Sequence, residues 1–154
     1  NYYMNWIYMR LSGIYLYYAE AVNEAWGPDG SAPGASLTAW EAVNKIRNRV
    51  GMPDVKEVFH NQGDFRERIR NELAIELFSE HKRWWDLRRW HVMHKPEHKK
   101  IYRMRIDKVA EDSFTYNVEE MESEQRVFEQ KHYWYPLPKD HVEMLQNLRQ
   151  KPGW

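Results

Sequence analysis

The chain has 154 residues, with 23 basic and 23 acidic side chains, seven histidines and no cysteine. That length allows one domain with a real core; the balanced charge removes the electrostatic case for nucleic acid or an anionic membrane surface as partner; and the lack of cysteine excludes disulfides, thiolate metal sites and a cysteine nucleophile. Aromatic residues make up 15% of the chain, with 8 Trp and 10 Tyr, an excess that suits an aromatic-rich core first and flat ligands such as sugar rings second.

Ile7, Leu11, Ile14, Tyr18, Val22 and Ala25 recur at helical spacing and predict a helix over 6–25, where the small Ala19 and Ala21 would let a neighbouring helix approach. Its uncharged run, Leu11 to Ala19, is far shorter than the roughly 20 residues a membrane-spanning helix needs. WGPDGSAPGAS follows, with three Gly and two Pro, and must be a loop. Trp26 opens it, either as a hydrophobic plug over the helix end or as a platform for a sugar ring, and is the one ligand-contact candidate. Thr38 and Glu41 form a capping box for a second helix whose buried face is Ala39, Val43, Ile46 and Val50, and which Gly51 and Pro53 end. The two make an antiparallel helical hairpin over 1–53 of tetratricopeptide type, without a second copy at a fixed period.

Asp64 and Glu67 read as another capping box, and no Gly or Pro interrupts the residues that follow, which predicts one long central helix over 64–90. Phe65, Ile69, Leu73, Leu77, Trp84 and Leu87 share one stripe, and Glu76, Glu80 and Arg83 fall inside it. Charges on an apolar face must be paired. Glu76, Glu80, Arg83 and Asp86 are therefore expected to form a structural ion network with one another and with Arg47 or Arg49. The alternative for those two arginines is simple placement against the negative end of the second helix. Phe78 and Trp85 mark a second stripe, so the helix is expected to be covered on two faces.

His91, His94 and His98 have the spacing of one helix face, but Pro96 should splay them apart, and no H-E-x-x-H pattern occurs; no metal is expected and the histidines are read as solvated. Tyr102, Met104 and Ile106 alternate with charged residues, as Phe114, Tyr116 and Val118 do with polar ones, which predicts a β-hairpin over 101–119 turning at Ala110 to Ser113. The acidic EEMESE run reads as a solvated loop, Tyr133 to Pro138 as extended chain, and Asp140 with Glu143 as the cap of a short helix. The tail NLRQKPGW completes a strap over 133–154 packed back on the domain.

Three ordered segments carry a resemblance. Glu72-Leu73, Glu76-Leu77, Glu80, Arg83, Asp86-Leu87 and Arg89-Trp90 are similar to the late helix signature of the RagB/SusD family, the surface glycan-binding lipoproteins of Bacteroidetes. LSGIYLYYAEAVNEAW with VNKIRNRVGMP resembles its helical hairpin, and YWYPLP with NLRQKPGW resembles its ending. The resemblance implies a mainly α fold with a tetratricopeptide-like hairpin, a small β-hairpin and an extended C-terminal segment. The chain would be the C-terminal part of a longer protein, with the main ligand site, the secretion signal and a lipid-bearing Cys upstream of Asn1. That protein would sit on the extracellular face of the outer membrane, partner a SusC-like TonB-dependent transporter barrel and bind an oligosaccharide. Two positions depart from the family pattern: Leu73 stands where Arg is usual and His81 where Gly is usual. They imply a depleted ion network and a straighter helix.

No cofactor motif and no catalytic signature is present. Glu72, Glu76 and Glu80 lie along one helix edge, as a glycoside hydrolase could use, but Arg83 beside them would hold them ionised. Composition by itself supports only a soluble, mainly helical domain, and a helical scaffold for protein contacts without glycan binding is the alternative.

Overall fold

A computed structural model describes residues 8–154. The expected start of the first helix at Trp6 and Ile7 lies outside the described residues. In chain order the elements are α1 (Leu11–Trp26), α2 (Ala39–Arg47), α3 (Gln62–Glu76), α4 (Lys82–Arg89), α5 (Pro96–Lys99), β1 (Tyr102–Ala110), β2 (Ser113–Glu120) and α6 (Lys139–Met144), joined by short 3-10 turns. The fold is mainly α with one two-stranded antiparallel sheet. Its contacts divide into two compact units, Asn1–Trp84 and Trp85–Trp154, whereas the length suggests a single domain.

In the first unit α1 packs against α2 and α3. The buried stripe of α1 is Gly13, Leu16, Ala19, Val22 and Asn23. It is rotated from the expected face, since Leu11, Ile14 and Ala25 are exposed. Small residues decide this: Gly13 and Ala19 let two helices approach α1 closely, which the larger side chains would prevent. α2 begins where expected, on a Thr38–Glu41 capping box with both bonds present. Ala39, Val43 and Ile46 are buried, but Val50 is exposed, because α2 gives way to a 3-10 turn over Asn48–Val50 that swings it off the face.

α3 starts ahead of the expected Asp64–Glu67 box: the Asn61 side chain accepts from the Asp64 backbone N–H at 3.0 Å, so Asp64 is already inside the first turn. Phe65, Ile69, Leu73 and Leu77 are buried as one stripe.

The long central helix is broken. α3 stops at Glu76 and α4 begins at Lys82, with Ser79 (φ 67°) and His81 (φ 56°) in the left-handed region between them. His81 thus adopts the backbone that Gly favours, at the position where the resemblance expects Gly, and the helix is not straightened by its side chain. Arg10 accounts for the break: its guanidinium donates to the Glu76 carbonyl, which has no partner within the helix, and to both the Glu76 and Glu80 carboxylates. Phe78 within the break is 79% exposed and Trp85 on α4 56%, so the expected second covered face is not formed, and Trp84 is exposed as well.

The second unit gathers its own core from Leu87, Val92, Met93 and Phe128, with Trp90 and Tyr133 packed against it. Pro96 does not separate all three histidines: it opens α5, and His91 and His94 remain together, with ring centroids 5.4 Å apart. His91 stacks on Tyr133 at 3.9 Å, and the His94 Nδ1 lies 2.8 Å from the Tyr133 hydroxyl.

β1 and β2 pair in one register from Tyr102↔Glu120 to Lys108↔Phe114 and shift by one residue before Ala110↔Ser113, and the turn falls where expected. Glu119 and Glu120, expected in a loop, belong to β2, where Arg103 and Lys100 hold them. α6 has no side-chain cap from Asp140; Pro138 precedes its first turn instead. The tail folds back on its own unit: the Gln150 amide bonds both backbone groups of Leu137, and the Trp154 indole donates to the carbonyls of Lys131 and Trp134, each at 3.0 Å.

A non-glycine residue held in the left-handed region carries strain of about 1 kcal/mol or more. His81→Gly is expected to leave urea stability unchanged or raise it, whereas the β-branched His81→Val should lower it by more than about 1 kcal/mol.

Candidate functional site

Charge is organised first around α3. Arg47 and Glu72, both buried, pair directly, and the Arg47 Nε donates to the Pro53 carbonyl at 2.8 Å. One turn further on, Glu76 is shared by Arg10 at 2.7 Å and Arg49 at 3.0 Å, while Arg10 also reaches Glu80 at 2.6 Å. Burial alone would raise the Glu76 carboxyl, but the Ser12 hydroxyl and the Arg10 and Arg49 guanidinium groups outweigh it and hold Glu76 below its ordinary value.

Arg47 therefore meets Glu72 rather than Glu76 or Glu80, and it is Arg49 that meets Glu76. Arg83 is exposed and donates to the Arg70 carbonyl at 3.4 Å; Arg10, which stands outside the expected network, takes Glu80. Asp86 is buried and accepts from Arg89 at 2.9 Å. Arg10 escapes a reading of helix faces because it precedes α1 and lies 70 residues from Glu80. Only packing brings such a pair together.

The loop between α1 and α2 is pinned rather than slack. The Tyr18 hydroxyl accepts from the Ala32 N–H and donates to the Leu37 carbonyl, Ser31 and Thr38 form a β-bridge, and the Trp40 N–H donates to Pro28. Gly30 passes so close to Trp26 that a Cβ there would lie 2.4 Å from the Trp26 Cβ, which restricts the position to glycine. Trp26 itself is 55% exposed.

Beside this loop lies a cavity of about 420 Å³, in which Trp40 is the one aromatic among the described residues and Ser36, Glu41, Asn44, Lys45, Asn48 and Asp54 supply polar groups. Trp26 does not line it. Lys56 stands 4.0 Å above the Trp40 ring and pairs with Asp29 at 3.0 Å, so one face of the indole is held by a cation. Several polar groups are already committed. The Asn44 Oδ1 accepts from Val55, Glu41 closes the Thr38 cap, and the Asn44 amide and then the Lys56 N–H keep Asp54 below the ordinary carboxylate range. The arrangement offers a fixed aromatic wall and ionised acids, with Ser36, Lys45 and Asn48 exposed at the rim. Trp40 and Asn44 on α2, with Asn48 four further on in the turn that follows it, are a signal the sequence does contain.

The SusD family model matches residues 1–154, the whole chain. The chain belongs to the SusD family. No curated protein matches it closely enough to count as a relative. SusD family proteins are generally non-catalytic binding proteins associated with the outer membrane, and membership supports a role in binding glycans or other nutrients. No helix among the described residues is long and apolar enough to cross a membrane.

In this SusD family chain the buried Arg47–Glu72 pair should dominate the electrostatic contribution to stability. Arg47→Ala would strand Glu72 and is expected to destabilise the protein by about 3 kcal/mol in urea melts, the magnitude typical of breaking a buried pair. Because Glu76 is depressed in the folded state, its stabilising contribution is present above the ordinary carboxylate value of 4.5 and is lost as pH falls through the lower folded value. Glu76→Gln should therefore flatten the acid limb of a stability–pH curve while lowering stability at neutral pH.

Proposed function

We propose that this chain is part of a surface-exposed glycan-binding component of a TonB-dependent outer-membrane uptake system, working with a SusC-like transporter barrel. The observation that carries this reading is the family match over the whole chain. The local geometry supports it through the Trp40 cavity. A sugar ring presents a face of C–H groups and an edge of hydroxyls, and an aromatic wall beside amide, ammonium and carboxylate groups complements both.

Catalysis is not supported by the acidic edge of α3. Glu76 is held below its ordinary value, the opposite of the raised pKa a glycosidase acid requires, and Glu72 and Glu80 are each engaged by a guanidinium.

A protein-contact scaffold is the second reading, favoured by the β-hairpin. Met104 pairs with Val118 and Ile106 with Tyr116 on one face, all more than half exposed, while the Arg103 and Arg105 pairs with Glu119 occupy the other.

In calorimetry against a panel of oligosaccharides, Trp40→Ala is expected to weaken binding about tenfold, equivalent to about 1.4 kcal/mol, with no hydrolysis products in the same cells. Binding that is indifferent to Trp40 would remove the cavity from the site. Recovery of an outer-membrane barrel with the protein, but no glycan affinity, would favour the scaffold reading.

A further inference from the structure

A second cavity, of about 270 Å³, lies on the same helical hairpin. Leu11 and Ile46 give it apolar surface, Tyr15 an aromatic wall, and Arg10, Lys45 and Arg49 its charge. Not every donor is used. Arg10 is committed to Glu76 and Glu80, and Arg49 spends one amino group on Glu76, at 3.0 and 3.1 Å from its two oxygens. The other N–H groups of Arg49, the Lys45 ammonium and the Tyr15 hydroxyl have no hydrogen-bond or salt-bridge partner among the described residues, and the Arg49 side chain is 57% exposed. Glu41, one turn before Lys45 on α2, offsets its charge, so three cations face three carboxylates; what remains beside the apolar and aromatic surface is a set of unused donors rather than a net charge.

We propose that this cavity is an anion subsite that takes the carboxylate of an acidic sugar, a uronic acid. The inference rests on the glycan-binding reading above and narrows its substrate class. A single carboxylate can accept from the Lys45 ammonium, the Tyr15 hydroxyl and an N–H of Arg49 that Glu76 does not take, and hydrogen bonds to an ionised acceptor are the stronger kind. The volume lies just below the range of about 300–1,000 Å³ usual for drug-sized ligands, which suits one sugar ring. Lys45 lines this cavity and the Trp40 cavity alike, so an oligosaccharide with an acidic residue in one and a neighbouring ring against Trp40 would pass across it.

The test is a titration of the intact protein with glucuronate, glucose and acetate at low salt, followed by NMR and calorimetry, alongside a neutral oligosaccharide bound at Trp40. Glucuronate is expected to shift Tyr15 and Lys45 resonances and to bind at least tenfold more tightly than either glucose or acetate. Arg49→Gln should weaken glucuronate about tenfold and leave the neutral oligosaccharide unchanged. Tyr15→Phe, which keeps the Glu76 pairing intact, should weaken glucuronate severalfold without altering the urea melt. Equal affinity for glucose removes the anion subsite, and equal affinity for acetate removes the sugar. If glucuronate leaves the second cavity unshifted while the neutral oligosaccharide still shifts Trp40, the subsite is wrong and the Trp40 reading stands. Shifts at Tyr15 without any at Trp40 establish the subsite and overturn the Trp40 reading.

Discussion

The first unit depends on α3 carrying acids on a face that is otherwise apolar. Glu72 is buried among Ile69, Leu73 and the arginine of α2, and an isolated carboxylate there would be intolerable without a partner. Arg47 supplies that partner and spends its remaining reach on the Pro53 carbonyl, so one side chain joins α2, the chain leaving it, and α3. Arg10 and Arg49 repeat the solution at Glu76. Each guanidinium fits carboxylate or carbonyl geometry with several donors at once, which lysine could not do. The pairs contribute less through net attraction than through the cost of any packing that would leave one member alone.

That network also explains why the acidic helix ends where it does. A helix C-terminus leaves its last carbonyls without partners, and a cation nearby is favourable on both hydrogen-bonding and dipole grounds. Arg10 meets the Glu76 carbonyl, and the chain then turns through Ser79 and His81 in left-handed conformations. Local propensity favours continuing the helix. Arg10, which lies far away in sequence, favours stopping it, and the tertiary contact prevails.

The proposed sugar contact follows from the same hairpin. The pinned α1–α2 loop fixes Trp40 at the start of α2, and Lys56 holds its ring while the cavity-facing polar groups are oriented by bonds to the backbone. Such a wall loses little side-chain entropy when a ring docks against it, which is the advantage of preorganisation. The coarse role in nutrient binding comes from family membership, and the geometry adds where a sugar could rest.

Features encoded by residues close together in the chain are legible in the sequence itself. The Thr38–Glu41 cap, the β-hairpin turn at Ala110 to Ser113 and the mainly helical class each depend on residues within a few positions of one another. The three family segments are legible for the same reason. The broken central helix and the partners of Glu72, Glu76 and Glu80 are not, because they depend on contacts across 25, 66 and 70 residues, and the rotated face of α1 is set by packing against α2 and α3. Periodicity shows that Glu76 and Glu80 need cations but not which ones, since a helical wheel describes one helix and a salt bridge requires two. Trp26 and Trp40 are likewise indistinguishable as aromatics at the edges of one loop. Only the packing of that loop decides which of them lines a cavity.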